Sequence, residues 1–301
     1  MLYSSVFAIP YSFPKYASMN KTNEVSKSFN KVANDYETFA KVQKEIGLRL
    51  FERLELLKIT PKYVLDLGSG TGIFTSLLKK KYPKAEVIAF DIAHQMLLTG
   101  KKKQTWRLKW NSISGDMLRM PFPDGMIDLV FSNQVIHWSP SLPRLFSEIN
   151  RIMNVNGCLM FSSLGPDTFC ELRKAWGAVD SFAHANEFLD MHDLGDILLK
   201  EQFLDPVVDM EKLVVHYNSF VRLIHALKMQ GVRNVHSKRN AGLTGKTAWL
   251  KFEEAYNQLK VSDHFPLSYE IVYGHAWKGL QFSSSHGTEV RIPIAGIRKK
   301  M

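Results

Sequence analysis

A chain of 301 residues with 45% hydrophobic and 12% aromatic residues has the material for a packed core, which excludes a disordered polypeptide. Its formal charge of +10 favours anionic partners such as nucleic acid, acidic membranes, phosphorylated cofactors or acidic proteins, and is silent on fold. Two cysteines, Cys158 and Cys170, are too few for a disulfide framework and lie in no metal-type spacing, so buried thiols in a reducing cytoplasm are expected.

In chain order, residues 1–23 are aromatic and Pro-containing but lack the basic start and long apolar core of a signal peptide. They are expected to be a flexible extension, with Met19 an alternative start to Met1. Val25, Phe29, Val32, Tyr36, Phe39 and Val42 then recur at helical steps, making 24–60 an N-terminal helical cover that Pro61 ends. The apolar run 63–67 leads straight into glycines, as a buried parallel strand would. The spacing predicts helix over 73–81, strand over 86–90, helix over 95–102, strands over 112–115 and 127–132, and helix over 143–153. An Asn156-Gly157 turn and a strand over 158–163 follow.

Strands alternating with helices imply a mostly parallel sheet covered on both faces, so 61–164 is expected to be an α/β Rossmann-like core. Beyond it, helices are expected over 167–179, 193–202, 219–229 and 247–259, and strands over 207–217 and 267–277. Residues 165–279 would then be a helical lid inserted in the last hairpin plus the closing strands, the last one antiparallel, with 280–301 a flexible tail. No run approaches the roughly 18 apolar residues of a membrane helix, so no membrane partner is expected.

In such a sheet a ligand lies at the carboxyl ends of the strands where their order reverses, and the first strand-to-helix turn carries the glycines. The segment Asp66-Leu67-Gly68-Ser69-Gly70-Thr71-Gly72 fits that place. A dinucleotide fingerprint runs G-x-G-x-x-G, whereas this loop runs G-x-G-x-G with Asp66 two residues before its first glycine. That suits S-adenosylmethionine, which has a positively charged amino group and no pyrophosphate. Asp91, with Ile92 beside it, ends the second strand and is expected to accept from both ribose hydroxyls, since a carboxylate offers two acceptor oxygens and no donor. Asp116 and Met117 after the third strand would lie at the adenine, and Asn133 at the end of the fourth would face the methionine half. Taken singly, an ordinary loop acid or turn residue is the alternative for Asp116 and Asn133. Tyr36 would fold over the cofactor, unless it is a core aromatic, and His137-Trp138 would wall the methyl site, unless Trp138 is simply packed. The histidines show no metal-ligand spacing, so no metal is expected.

The 61–164 portion resembles the class I S-adenosylmethionine-dependent methyltransferases. The flanking segments are more particular: Ser28-Phe29-Asn30-Lys31 with Tyr36, Gly165-Pro166-Asp167-Thr168 leading to Glu171-Leu172-Arg173-Lys174-Ala175-Trp176, and the runs FLDMHDLGD (188–196), DPVVDME (205–211), LKMQGVRN (227–234) and FPLSY (265–269). Together they resemble the BioC family, the malonyl-[acyl-carrier protein] O-methyltransferases of biotin synthesis. The resemblance implies methyl transfer to the free carboxylate of a malonyl thioester, held on acyl carrier protein or on coenzyme A. An ester enters an apolar acyl channel at far lower desolvation cost than a carboxylate does. Such a carboxylate is already ionised at neutral pH, so the work left is alignment and exclusion of water.

Arg173, Lys228 and Tyr269 are the candidates for positioning that carboxylate, Arg173 first because its planar fork suits bidentate pairing, with a surface arginine as the alternative. The runs Lys79-Lys80-Lys81, Lys101-Lys102-Lys103 and Lys238-Arg239 would steer an acidic carrier protein, or are solvated faces. Nucleic acid is not expected, for want of an appended recognition module. Two other readings stay open: a methyltransferase for another acceptor, such as a small acid, a quinone precursor or RNA, and a non-methylating assembly factor related to the mitochondrial complex I assembly hydroxylase.

Overall fold

The computed structural model describes residues 22–229 and 244–280. The expected extension up to residue 21, the Lys238-Arg239 cluster and the expected tail from 281 onward lie outside the described residues. Three N-terminal helices, α1 (Thr22–Val32), α2 (Tyr36–Phe39) and α3 (Lys41–Glu52), precede the sheet. Its strands are β1 (Tyr63–Leu67), β2 (Glu86–Asp91), β3 (Asn111–Ser114), β4 (Ile127–Asn133), β5 (Met153–Leu164), β6 (Phe203–Tyr217) and β7 (Phe265–Lys278). They lie in the order β3-β2-β1-β4-β5-β7-β6, with β7 antiparallel to both its neighbours and the pairs from β3 to β5 parallel. Helices α4 (Ile73–Lys81), α5 (His94–Lys101) and α6 (Leu142–Ile152) connect the parallel strands, and α7 (Cys170–Gly177) and α8 (Met191–Lys200) lie between β5 and β6. The expected insertion in the last hairpin is present as α9 (Phe220–Met229) and α10 (Lys246–Asn257).

Side chains alternate across the pleat, so one strand feeds two cores. Val64 of β1 and Leu129 and Phe131 of β4 join α3, α4, α7, α9 and α10 on one face. Leu65, Val130 and Ile127 join α6 and α8 on the other. Against the insertion, Trp176 of α7 is stacked between His184, at 3.8 Å, and Phe252 of α10, at 4.1 Å, with Phe220 and Tyr256 around them. This aromatic packing fixes α9 and α10 to α7 rather than leaving them to solvent. β5 pairs with β7 only as far as Leu164 opposite Ile271, so β6 and β7 continue past the sheet as a two-stranded arm that carries the insertion.

Three boundaries differ from expectation by more than two residues. The Asn156-Gly157 turn is a bulge within one strand: Met153 pairs with Ile127 and Cys158 already with Leu129, while Asn156 takes a positive φ of 63°. β6 begins at Phe203, four residues early, because pairing with β7 resumes across an irregularity between Leu204 and Val207. α7 begins at Cys170 instead of 167, since Gly165 to Phe169 form a loop in which Phe169 has a φ of 61°.

Candidate active site

The strand order reverses between β1 and β4, and the loops leaving β1, β2, β3 and β4 meet there around a cleft. Of the residues expected to hold a cofactor, Gly68, Gly70, Asp91 and Ile92 line it, as do Asp116, Met117, Asn133 and Tyr36. Asp66, Ser69 and Gly72 do not.

Gly68 has a φ of 73°, and a Cβ there would stand 2.1 Å from a Val135 methyl, so no larger residue fits. Gly70, at φ 53°, faces open space, and any side chain would project into the cleft. The Asp91 carboxylate accepts from the backbone N–H of Gly70 at 2.8 Å and of Ala93 at 2.7 Å, pinning the glycine loop to the end of β2. Burial raises its pKa, and those backbone donors pull the other way.

Asp66 lies behind the cleft wall. Its buried carboxylate is turned to the Thr75 hydroxyl, at 2.5 Å, behind the loop, instead of facing the cleft where a cofactor's amino group would lie. Burial and, secondarily, the nearby Asp91 push it up to about 7, against the Thr75 hydrogen bond. Ser69 is also turned inward, its buried hydroxyl without a partner, and Gly72 begins α4 beside Trp110. Asp116 takes the Leu118 N–H on one oxygen at 2.9 Å. The Asn133 amide donates to the Gln43 carbonyl at 2.9 Å and accepts from Ser162 at 2.8 Å, tying α3, β4 and β5 together at the cleft wall.

Helices α1 and α2 roof the cleft with Val25, Phe29 and Tyr36. Phe29 sits edge-on to both Tyr36 (6.2 Å) and Trp138 (5.6 Å), so Trp138 does wall the cleft. Polar contacts fasten the roof to the core. Ser26 donates to the Ile92 carbonyl at 3.2 Å, Asn30 accepts from the Gln95 N–H at 2.8 Å, and Glu37 accepts from Thr71 at 2.5 Å and from Lys103. Burial alone would raise the Glu37 pKa, but its hydrogen bonds to Lys103 and Thr71 hold it below the usual range. His137 lies behind Trp138 against Phe188, and burial drops its pKa to about 3, so it is neutral.

Sequence reasoning missed Val25 and Phe29 as cleft residues, together with Met96, Gln134 and Val135. Gln134 and Val135 directly follow Asn133 at a strand end, where the position rule alone would have found them.

None of the three candidates for holding an acceptor carboxylate lines the cleft. Arg173 donates to the Pro166 carbonyl at 2.5 Å and to that of Thr168, closing the loop after β5. The same loop is gripped by Glu270, whose carboxylate accepts the Asp167 N–H at 2.6 Å and whose carbonyl accepts from Thr168 at 3.0 Å. Lys228 is exposed in the last turn of α9. Tyr269 is buried in β7, its ring 5.1 Å from that of Phe169. Of the lysine runs, Lys79 bonds the Pro83 and Ala85 carbonyls, Lys81 pairs with Glu55 and Lys103 with Glu37. Among the described residues no cluster of three or more His, Cys, Asp or Glu could hold a metal ion, and no helix is long and apolar enough to cross a membrane.

The cleft fits S-adenosylmethionine. Asp91 gives one lone pair of each oxygen to backbone and keeps acceptor capacity for vicinal hydroxyls, and the open face of Gly70 is a cradle that a Cβ would fill. With the sheet order, this defines a class I S-adenosylmethionine-dependent methyltransferase. A family model for a methyltransferase domain matches residues 65–161. The solved YcgJ protein of Bacillus subtilis has the same fold, at TM-score 0.55 and 13% identity over 76% of this chain and 97% of its own. Phosphoethanolamine N-methyltransferase 2 of Haemonchus contortus, solved with S-adenosyl-L-methionine, has it at TM-score 0.53 and 17% identity over 89% of this chain and 61% of its own.

Sequence relatives are nearer. The malonyl-[acyl-carrier protein] O-methyltransferase of Legionella pneumophila is 56% identical over 94% of this chain and 100% of its own length. Those of Gallionella capsiferriformans (41%, over 84% and 89%) and Coxiella burnetii (35%, over 95% and 99%) follow. The chain belongs to the malonyl-[acyl-carrier protein] O-methyltransferase family.

Proposed function

We propose that this enzyme methylates the free carboxylate of a malonyl group carried on acyl carrier protein, giving the methyl ester that enters pimeloyl assembly for biotin. One observation carries the reading: the 56% identity to the Legionella enzyme spans 94% of the chain, insertion included, and not only the widespread methyltransferase core. The names of the relatives favour acyl carrier protein as the carrier, the basic charge of +10 suits any anionic carrier, and the reaction would belong in a reducing cytoplasm, with neither nucleic acid nor membrane as partner.

The cofactor, when bound, supplies a methyl group on a sulfonium. Asp91 accepts from the ribose hydroxyls, Asp116 from the adenine amine with Ile92 and Met117 about the ring, and the backbone at Gly68 and Gly70 lies against the amino-acid portion, which Asn133 faces. Residues 24–60 act as cover, 61–164 as cofactor-binding core, and 165–279 as acceptor lid with closing strands. The acceptor arrives ionised, so the chain's task is to align it and exclude water. Purified protein incubated with labelled S-adenosylmethionine and malonyl-carrier protein should give a base-labile methyl ester. A carrier unchanged in mass would refute the reading, and labelling of malonyl-coenzyme A in preference would change the partner.

A further inference from the structure

Among the described residues that line the cleft there is no Lys, Arg or His, and the ionisable acids are Asp91 and Asp116. Among these described residues, the side chains that could donate to a carboxylate acceptor are neutral. Those neutral donors are the side chains of Tyr36, Asn133 and Gln134 and the indole of Trp138, whose ring packs edge-on against Phe29 in the cleft wall. Asn133 donates to the Gln43 carbonyl at 2.9 Å, and Gln134 donates its side-chain N–H to the Ser163 carbonyl at 3.1 Å. The Tyr36 hydroxyl makes no hydrogen bond with a described residue. Its neighbour Glu37 is fastened to Thr71 and Lys103, which holds the short helix α2 in place over the cleft. Burial, with Asp91 and Glu37 nearby, raises the phenol's pKa, so it stays a donor throughout the working range of pH.

We propose that the Tyr36 hydroxyl grips the acceptor carboxylate, so that the helix covering the methyl donor also selects the acceptor. This rests on the methyl-transfer reading above. One carboxylate oxygen accepts the phenol's hydrogen bond. A lone pair on the other forms the new O–CH₃ bond while the S–CH₃ bond breaks and its electron pair goes to sulfur, leaving a methyl ester and a neutral thioether. No proton moves, and Tyr36 keeps its own. A neutral donor suits this step, because a charged partner would form a stronger hydrogen bond to the attacking group and hold it in its ground state.

The test is Tyr36→Phe in the full chain, which removes one oxygen and keeps the ring. Calorimetry measures S-adenosylhomocysteine affinity and then, on the loaded protein, the affinities for malonyl-pantetheine and for its neutral amide analogue. Kinetics with malonyl-carrier protein separate KM from kcat. S-adenosylhomocysteine affinity should be unchanged, KM should rise roughly 10- to 100-fold, and the preference for the carboxylate over the amide should vanish. Parallel loss of S-adenosylhomocysteine binding, or a preserved preference, overturns the assignment. Wild-type protein that binds S-adenosylhomocysteine yet forms no malonyl ester refutes the activity reading instead, whatever Tyr36 does.

Discussion

Replacing Asp66 by Asn should stabilise the cofactor-free protein at neutral pH and above, the reverse of the usual outcome at a buried polar position. The Asp66 side chain is 2% exposed and has the Thr75 hydroxyl as hydrogen-bond partner at 2.5 Å. Burial, then repulsion from Asp91, moves its pKa from 3.8 to about 7. A carboxyl with a raised pKa retains, when folded, a proton that the unfolded chain has already released. Stability then falls as pH climbs from about 4 to about 7 and is level beyond, at a limiting slope of about 1.4 kcal/mol per pH unit. Integrated over the shift, the ionised side chain costs on the order of 4 kcal/mol as an upper bound, since relaxation of the surroundings reduces it. Asparagine keeps an acceptor for Thr75 and carries no charge. Urea unfolding of both proteins without cofactor, from about pH 5 to about pH 8, measures the difference directly. The advantage of Asn should grow by roughly 1 kcal/mol per unit below pH 7 and then flatten. Parallel stability curves would mean that Asp66 ionises normally and that the burial argument is wrong.

Asp91→Ala strips the Gly70 and Ala93 N–H groups of their acceptor and should lower S-adenosylhomocysteine affinity by roughly 100-fold in calorimetry; unchanged affinity would remove Asp91 as the ribose anchor. Gly47→Ala puts a Cβ 2.0 Å from the Phe74 ring and 2.6 Å from the Asn133 amide, costing about 1–3 kcal/mol in urea unfolding and weakening the cofactor; an unmoved midpoint would contradict the packing of α3 on β4. Arg173→Met frees the Pro166 and Thr168 carbonyls and should cost about 1 kcal/mol of stability with S-adenosylhomocysteine affinity intact; loss of that affinity would move Arg173 into the cofactor site. A cofactor analogue bearing a protonated amine in place of the sulfonium should raise acceptor affinity over the neutral thioether by about tenfold or more; equal affinities would mean that a cation from the protein, not the donor, meets the acceptor.

The parallel core was legible because β1, β2 and β4 are largely buried and run into a glycine loop, an acid and an amide at their ends. β1 lies at 63–67 as the apolar run does, and Asp91 and Asn133 end β2 and β4. Asn156-Gly157 misled because turn chemistry marks a local backbone departure, and long-range pairing to β4 carried the strand through it. Nothing local announces that Phe169 takes a positive φ, because the loop is held by Glu270, about a hundred residues away. The acids at strand ends were found by position, while the direction of Asp66 was not. Sequence periodicity assigns a side chain to a face of the sheet but leaves open whether Thr75, one helix on, captures it. The roof shows the same limit, since helical spacing marks Val25 and Phe29 as apolar and is equally satisfied by a core or by a cleft.

The charges in the cleft explain how an enzyme whose pocket carries two acids can act on a third. Asp91 is occupied by backbone N–H groups that spread its charge over the glycine loop, and Asp116 lies at the far end, after β3. The described lining residues include no Lys, Arg or His, and a bound donor's positive charge would add an attraction for an anionic acceptor of about 4 kcal/mol for charges about 4 Å apart at an effective dielectric near 20. Methyl transfer abolishes the carboxylate and the sulfonium charge together. With the donor bound, the pocket would hold an ion pair before transfer and an ester and a thioether beside Asp91 and Asp116 after it, so the attraction between acceptor and donor would be lost in the step it serves.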